Sequence, residues 1–221
     1  MSKFQKSTII LGAIYLVFTI ASMFSNIILE AGWSFKYTIW SAINGTLYTT
    51  AGATIALLLL FNAMQHKSKA AKTAAIIGGV WLVVLVCSHC IKIVGYYYSD
   101  LYSGDEGLRS MLHSLHINSN FEAAANIAFT FASVLQPIAI GFFADSHRKN
   151  KAVLISLIVY IVVFLFRLLF SLFGWSLLSL LEPAVYSELS HIISRTLAAL
   201  CALAVCSVFA CAATIKNKNY E

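Results

Sequence analysis

KAVLISLIVYIVVFLFRLLFSLFGW, Lys151 to Trp175, holds a single charged residue, Arg167, beyond its first position. About 20 apolar residues in a helix match a hydrocarbon core about 30 Å thick, so the run reads as a membrane span. In lipid a lone segment satisfies its backbone hydrogen bonds only as a helix, which makes that span helical. The rest of the chain repeats the pattern. Apolar runs at 8–29, 38–63, 73–95, 121–143, 152–173 and 188–215 give six spans within 221 residues. The expected fold is all-α: one polytopic membrane domain over 1–221. Composition agrees, with 11% charged residues and mean hydropathy +0.82, where a soluble domain carries about 25% charged residues.

Lys and Arg fall unevenly between the spans. One set of polar stretches carries Lys3, Lys6, Lys67, Lys69, Lys72, Arg148, Lys149, Lys151, Lys216 and Lys218. The other carries only Lys36 and Arg109, beside six acidic residues from Glu30 to Glu188. The positive-inside rule puts both termini in the cytoplasm. Trp33, Trp40, Tyr96 to Tyr98 and Trp175 then gather at the outer interface, where aromatic belts form. The net charge of +6 is thereby assigned to a cytoplasmic surface facing anionic lipid and not to nucleic acid. Lys3 and Lys6 ahead of an apolar run resemble a signal peptide. The run is long enough to span and no small-residue cleavage site comes after it, so a retained first helix is expected.

The longest outer loop, 96–120, has Ser103 and Glu106 at capping-box spacing, then Leu108, Met111, Leu112 and Leu115 at helical spacing. That pattern predicts a short amphipathic helix at the outer interface. His113 and His116 on its polar side are read as exposed positions, because no third metal ligand is near in sequence. Pro137 falls inside the fourth span, where a kink is expected.

Ionisable residues inside a membrane are costly, and they usually face the bundle interior. At 100° per residue, His89, Lys92 and Tyr96 share one face of the third span. Glu122, Asn126, Ser133 and Gln136 share a face of the fourth, Ser156, Tyr160, Arg167 and Ser171 of the fifth, and Glu188, His191 and Arg195 of the sixth. Arg167 lies about 15 residues beyond Ala152, hence roughly 22 Å from the inner edge and some 8 Å beneath the outer surface. Lys92 and Arg195 stand higher, within reach of the headgroups. Together these residues predict a positive pocket in the outer half of the bilayer. Arg167, Arg195, Lys92, His89, His191, Glu122, Asn126 and Tyr160 are its expected ligand-binding residues. A structural ion-pair network among the same groups is the competing reading.

Cys87 and Cys90 form a C-x-x-C near the C-terminal end of the third span. A reactive cysteine wants the positive, N-terminal end of a helix. These two also point with Val83 and Val94, away from His89 and Lys92, so neither a dithiol nor a shared metal is expected. Cys201, Cys206 and Cys211 read as small packing residues. No cofactor is expected; a haem held between His89 and His191 is the alternative. The chain has no P-loop, no G-x-S-x-G and no H-E-x-x-H.

The expected function is binding or transport of a small anionic solute or lipid headgroup in the plasma (cytoplasmic) membrane. A membrane-embedded enzyme acting on a lipid phosphate or a redox carrier is the second class. A non-catalytic structural or immunity-type subunit is the third. The architecture resembles that of the substrate-binding components of vitamin-uptake transporters, although their small-residue signature in the first helix is missing. That likeness implies an ATP-driven partner subunit, since this chain has no nucleotide site.

Overall fold

The computed structural model describes residues 3–30, 37–101, 117–178 and 183–214. Their regular structure is six α-helices: α1 (Lys3–Glu30), α2 (Tyr37–His66), α3 (Lys69–Leu101), α4 (Ile117–Ser146), α5 (Lys151–Leu178) and α6 (Pro183–Ala213). All six contain a stretch long and apolar enough to cross a membrane, as an integral membrane protein requires. The amphipathic helix expected over 103–115 lies outside the described residues.

Two tight turns define one end of the bundle. Lys67 adopts a left-handed conformation (φ 44°) that ends α2, and Ser68 Oγ accepts from the Ala71 amide to cap α3. At the other turn Asn150 does two jobs. Its Oδ1 accepts from the Ala152 amide to cap α5, while its Nδ2 donates to the Cys211 carbonyl at the end of α6. Asn62 of α2 donates to Ser146 Oγ of α4 at 3.1 Å, so both turns lie at the same end. Lys67, Lys69, Lys72, Arg148, Lys149 and Lys151 are exposed there, and we refer to it as the basic end.

The helices neighbour one another in the order α4, α3, α2, α1, α6, α5, and the ring closes by only a light contact between α5 and α4. Small residues make the close approaches. A Cβ added at Gly78 of α3 would meet Leu59 Cδ1 of α2 at 2.5 Å, so the fully buried Leu59 would have to move to admit it. Ala51, Ala74, Ala132, Ala139, Ala202 and Ala212 are buried in the same manner. The solid core fills the half nearer the basic end, around Ile55, Leu58, Leu59, Ile140, Phe143, Val153, Val208 and Phe209, all within 1% of full burial. Phe143 and Phe209 pack with ring centroids 4.5 Å apart.

The outer surface is apolar. Val17, Ile76, Val83, Ile127, Phe131, Ile155, Ile158, Phe166 and Leu172 are among the exposed residues. A contiguous belt of that kind suits lipid and would aggregate in water. Cys87 and Cys90 stand in it, exposed. Cys206 Sγ instead meets the Gly12 carbonyl of α1, and Cys211 Sγ meets Ser156 Oγ of α5 at 3.3 Å. These thiols serve as small interhelical contacts.

Candidate functional site

Beyond the packed half, the helices enclose a cavity of about 390 Å³ to which all six contribute. Its lining is layered. Nearer the basic end it is walled by Tyr15, Ala51, Gly52, Trp81, Gln136, Tyr160, Phe164, Ala202 and Val205, with the Gln136 amide a polar group there beside the tyrosine hydroxyls. Further from that end come Thr19, Ser22, Asn44, Tyr48, Ser88, His89, Lys92, Asn126, Arg167, Ser194 and Arg195. Tyr160 is 1% and Trp81 3% exposed, and Ser88, Ser22 and Thr19 are buried too, whereas Lys92 and Arg195 are half-buried and Asn126 and Ser194 exposed.

Arg167 enters from α5, the helix with the most apolar surface facing outward. Its face toward the other helices repeats at Val153, Tyr160, Phe164 and Arg167, a heptad-like spacing that turns Tyr160 and Arg167 inward, whereas Ser171 one turn further on is exposed. The guanidinium faces the Tyr48 hydroxyl of α2 and the Cys201 thiol of α6. Arg195, one and a half turns before Cys201 on α6, brings a second guanidinium to the lining, and Lys92 brings an ammonium from α3. Lys92 Nζ lies 5.8 Å from the centre of the Tyr96 ring, a cation–π contact that steadies the long side chain.

His89 is held more firmly. Its ring lies against Gly45 of α2, where an added Cβ would approach Nδ1 to 3.2 Å, and it meets the Tyr48 ring edge-on at 5.7 Å. Tyr48 also contacts Phe129 of α4, at 6.1 Å. Ser22 Oγ of α1 donates to Asn44 Oδ1 of α2 at 2.6 Å, which ties the two helices where the cavity widens.

Two buried polar atoms of the lining, Tyr160 Oη and His89 Nε2, make no hydrogen bond among the described residues. A buried polar group without a partner costs about 1–3 kcal/mol, so both positions favour a ligand that supplies one. No carboxylate lines the cavity among the described residues, against three cationic side chains. An arginine presents two parallel N–H donors to a carboxylate or phosphate, and a lysine adds an undirected charge. The arrangement suits an acidic group.

The structure thus brings Arg167, Arg195, Lys92, His89, Asn126 and Tyr160 to one cavity. Glu122 is exposed and outside that lining. His191 lies in α6, with its side chain outside the described residues, as are those of Asn26, Glu30 and Glu188 at the same end. Sequence reasoning did not identify Asn44, Tyr48, Trp81, Ser88 or Cys201 as lining. Among the described residues no group of three or more His, Cys, Asp or Glu converges in a way that holds a metal ion. Comparison of the chain with protein-family models, curated proteins and solved structures gives no match.

Proposed function

We propose that this chain is a plasma-membrane protein that binds, and by extension carries, a small anionic solute or lipid headgroup in the six-helix cavity. One observation carries the reading: Arg167 and Lys92 line a cavity that receives no carboxylate from the described residues. The unpartnered Tyr160 Oη and His89 Nε2 support it, because they are polar groups at the cavity wall that packing alone does not explain. With both termini cytoplasmic, as the basic end suggests, the cation layer lies in the outer half of the bilayer and receives its ligand from outside. Transport against a gradient then needs an energised partner, and an ATP-driven subunit fits a chain without a nucleotide motif.

The test is thermal unfolding of detergent-purified protein with inorganic phosphate and a series of organic acids. A ligand at 100 times its Kd stabilises the folded state by about 2.7 kcal/mol, which reads as a clear rise in Tm. Arg167→Gln should melt cooperatively and lose that rise, and Arg167→Lys should recover part of it. If no acid raises the Tm of the wild type, or if Arg167→Gln responds as the wild type does, the proposal fails.

A further inference from the structure

The layering of the cavity specifies the body to which the acidic group is attached. We infer that the ligand is an amphipathic organic acid: an anionic head among the cations, joined to a flat and mainly apolar body one or two rings in size. This rests on the anion-binding reading above and specifies its substrate class.

Inorganic anions fit the site poorly. They would occupy only the cation layer, while a cavity of about 390 Å³ falls within the range that holds organic ligands of drug size. The remaining space is walled differently. Trp81, Tyr15 and Tyr160 enter from three helices and are each less than a tenth exposed, and Phe164 stands beside Tyr160 with centroids 6.2 Å apart. Between them Ala51 and Ala202 expose only methyl groups. Rings on several sides with small residues between them favour a planar guest, which gains offset or edge-on contact as well as apolar burial. A flexible chain gains the burial without that added contact and loses more conformational freedom on binding.

The body also needs polar atoms, because the half-buried Gln136 amide lines this layer beside the Tyr160 hydroxyl. Tyr160 Oη is the sole hydroxyl of this deeper layer that is buried without a hydrogen bond among the described residues. Arg167 lies two turns along the same face of α5, so the two groups stand about 10 Å apart along the helix. A bicyclic acid spans that distance, with its head on Arg167 and a ring substituent at Tyr160.

Five probes test the inference by calorimetry or thermal shift: 2-naphthoate, 2-naphthyl phosphate, 2-naphthamide, octanoate and acetate, with inorganic phosphate as reference. The expected result is that 2-naphthoate or 2-naphthyl phosphate binds at least about tenfold more tightly than acetate or inorganic phosphate, and that 2-naphthamide loses most of the gain. Whichever naphthyl acid is tighter identifies the head as carboxylate or phosphate. Trp81→Leu should weaken the naphthyl acid about tenfold and leave the response to the small anion in place. Acetate or phosphate binding as tightly as its naphthyl counterpart would overturn the inference and leave the anion site standing. So would octanoate matching 2-naphthoate, which points to a lipid chain. Equal binding of 2-naphthamide removes the role of the acidic head, and silence from every probe removes both proposals.

Discussion

Tyr160 and Arg167, two turns apart on one face of α5, line the same cavity, yet they sit in it differently. The guanidinium faces Tyr48 and Cys201 from neighbouring helices, while the phenol hydroxyl is buried with no hydrogen-bond partner among the described residues. A hydroxyl in that position costs the unliganded protein free energy. Tyr160→Phe should therefore melt at or above the wild type without ligand, by up to about 1–3 kcal/mol, and bind its acid more weakly. Thermal unfolding with and without ligand separates the two effects. A variant that is destabilised in both states would show that the hydroxyl has a structural partner.

Adjacent glycines on α3 should behave oppositely. A methyl group at Gly78 meets the fully buried Leu59 at 2.5 Å, whereas one at Gly79 meets nothing within 4 Å. Gly78→Ala is expected to destabilise by about 1–3 kcal/mol through overpacking. Gly79→Ala should be neutral or stabilising by up to about 1 kcal/mol. Leu59→Ala combined with Gly78→Ala should cost less than the sum of the two, because each makes room for the other.

At the basic end, His147 predicts a loss of stability in acid. Its Nδ1 lies 3.1 Å from the Phe143 carbonyl and 2.9 Å from Ser146 Oγ. Nε2 is buried with no partner among the described residues, and the His66 ring stands edge-on with centroids 4.7 Å apart. Burial lowers the pKa from its ordinary 6.5; the Phe143 carbonyl opposes that shift and His66 adds to it. Above 6.5 the ring is neutral both folded and unfolded, and its contribution is intact. As pH falls below that value the unfolded ring takes up a proton first, and stability declines until the folded ring titrates too. A Tm series from pH 8 to 5 should slope downward, and His147→Asn, which keeps a donor near Phe143, should flatten the slope. An unchanged slope assigns the effect elsewhere.

Orientation has a direct readout. In a background without native cysteines, a membrane-impermeant maleimide should label His113→Cys in intact cells and leave Lys67→Cys unlabelled until the membrane is opened. The reverse pattern would place the cation layer in the inner half of the bilayer.

The six helices were legible because each apolar run is far longer than any soluble element requires, and the residues flanking the runs do not break helices. Inward faces were legible where a span carries few polar residues, as with Tyr160 and Arg167 in α5. They were obscured in α2. Thr46, Thr49, Thr50 and Thr54 all donate to backbone carbonyls three or four residues earlier, so they satisfy themselves in any orientation and say nothing about facing. Tyr48 and Asn44, which do face the cavity, were lost among them. Trp81 carried no signal either, since an aromatic residue in an apolar span is as readily turned to lipid as to the interior. Cys201 was read as packing; its position beside Arg167 depends on how α6 meets α5, which no local pattern encodes.

The neighbour order of the helices sets a schedule for the site. α1 packs between α2 and α6, and α6 in turn is the main support of α5. During synthesis α1 precedes α6 by four intervening helices, so its second neighbour arrives long after its first. Arg195, Cys201 and Ala202 all arrive with that last helix. Until then Arg167 rides on a helix whose backbone touches the earlier helices only lightly, at α4, and of its two partners it has only Tyr48 of α2. The cavity is thus closed only when α6 joins the other five helices.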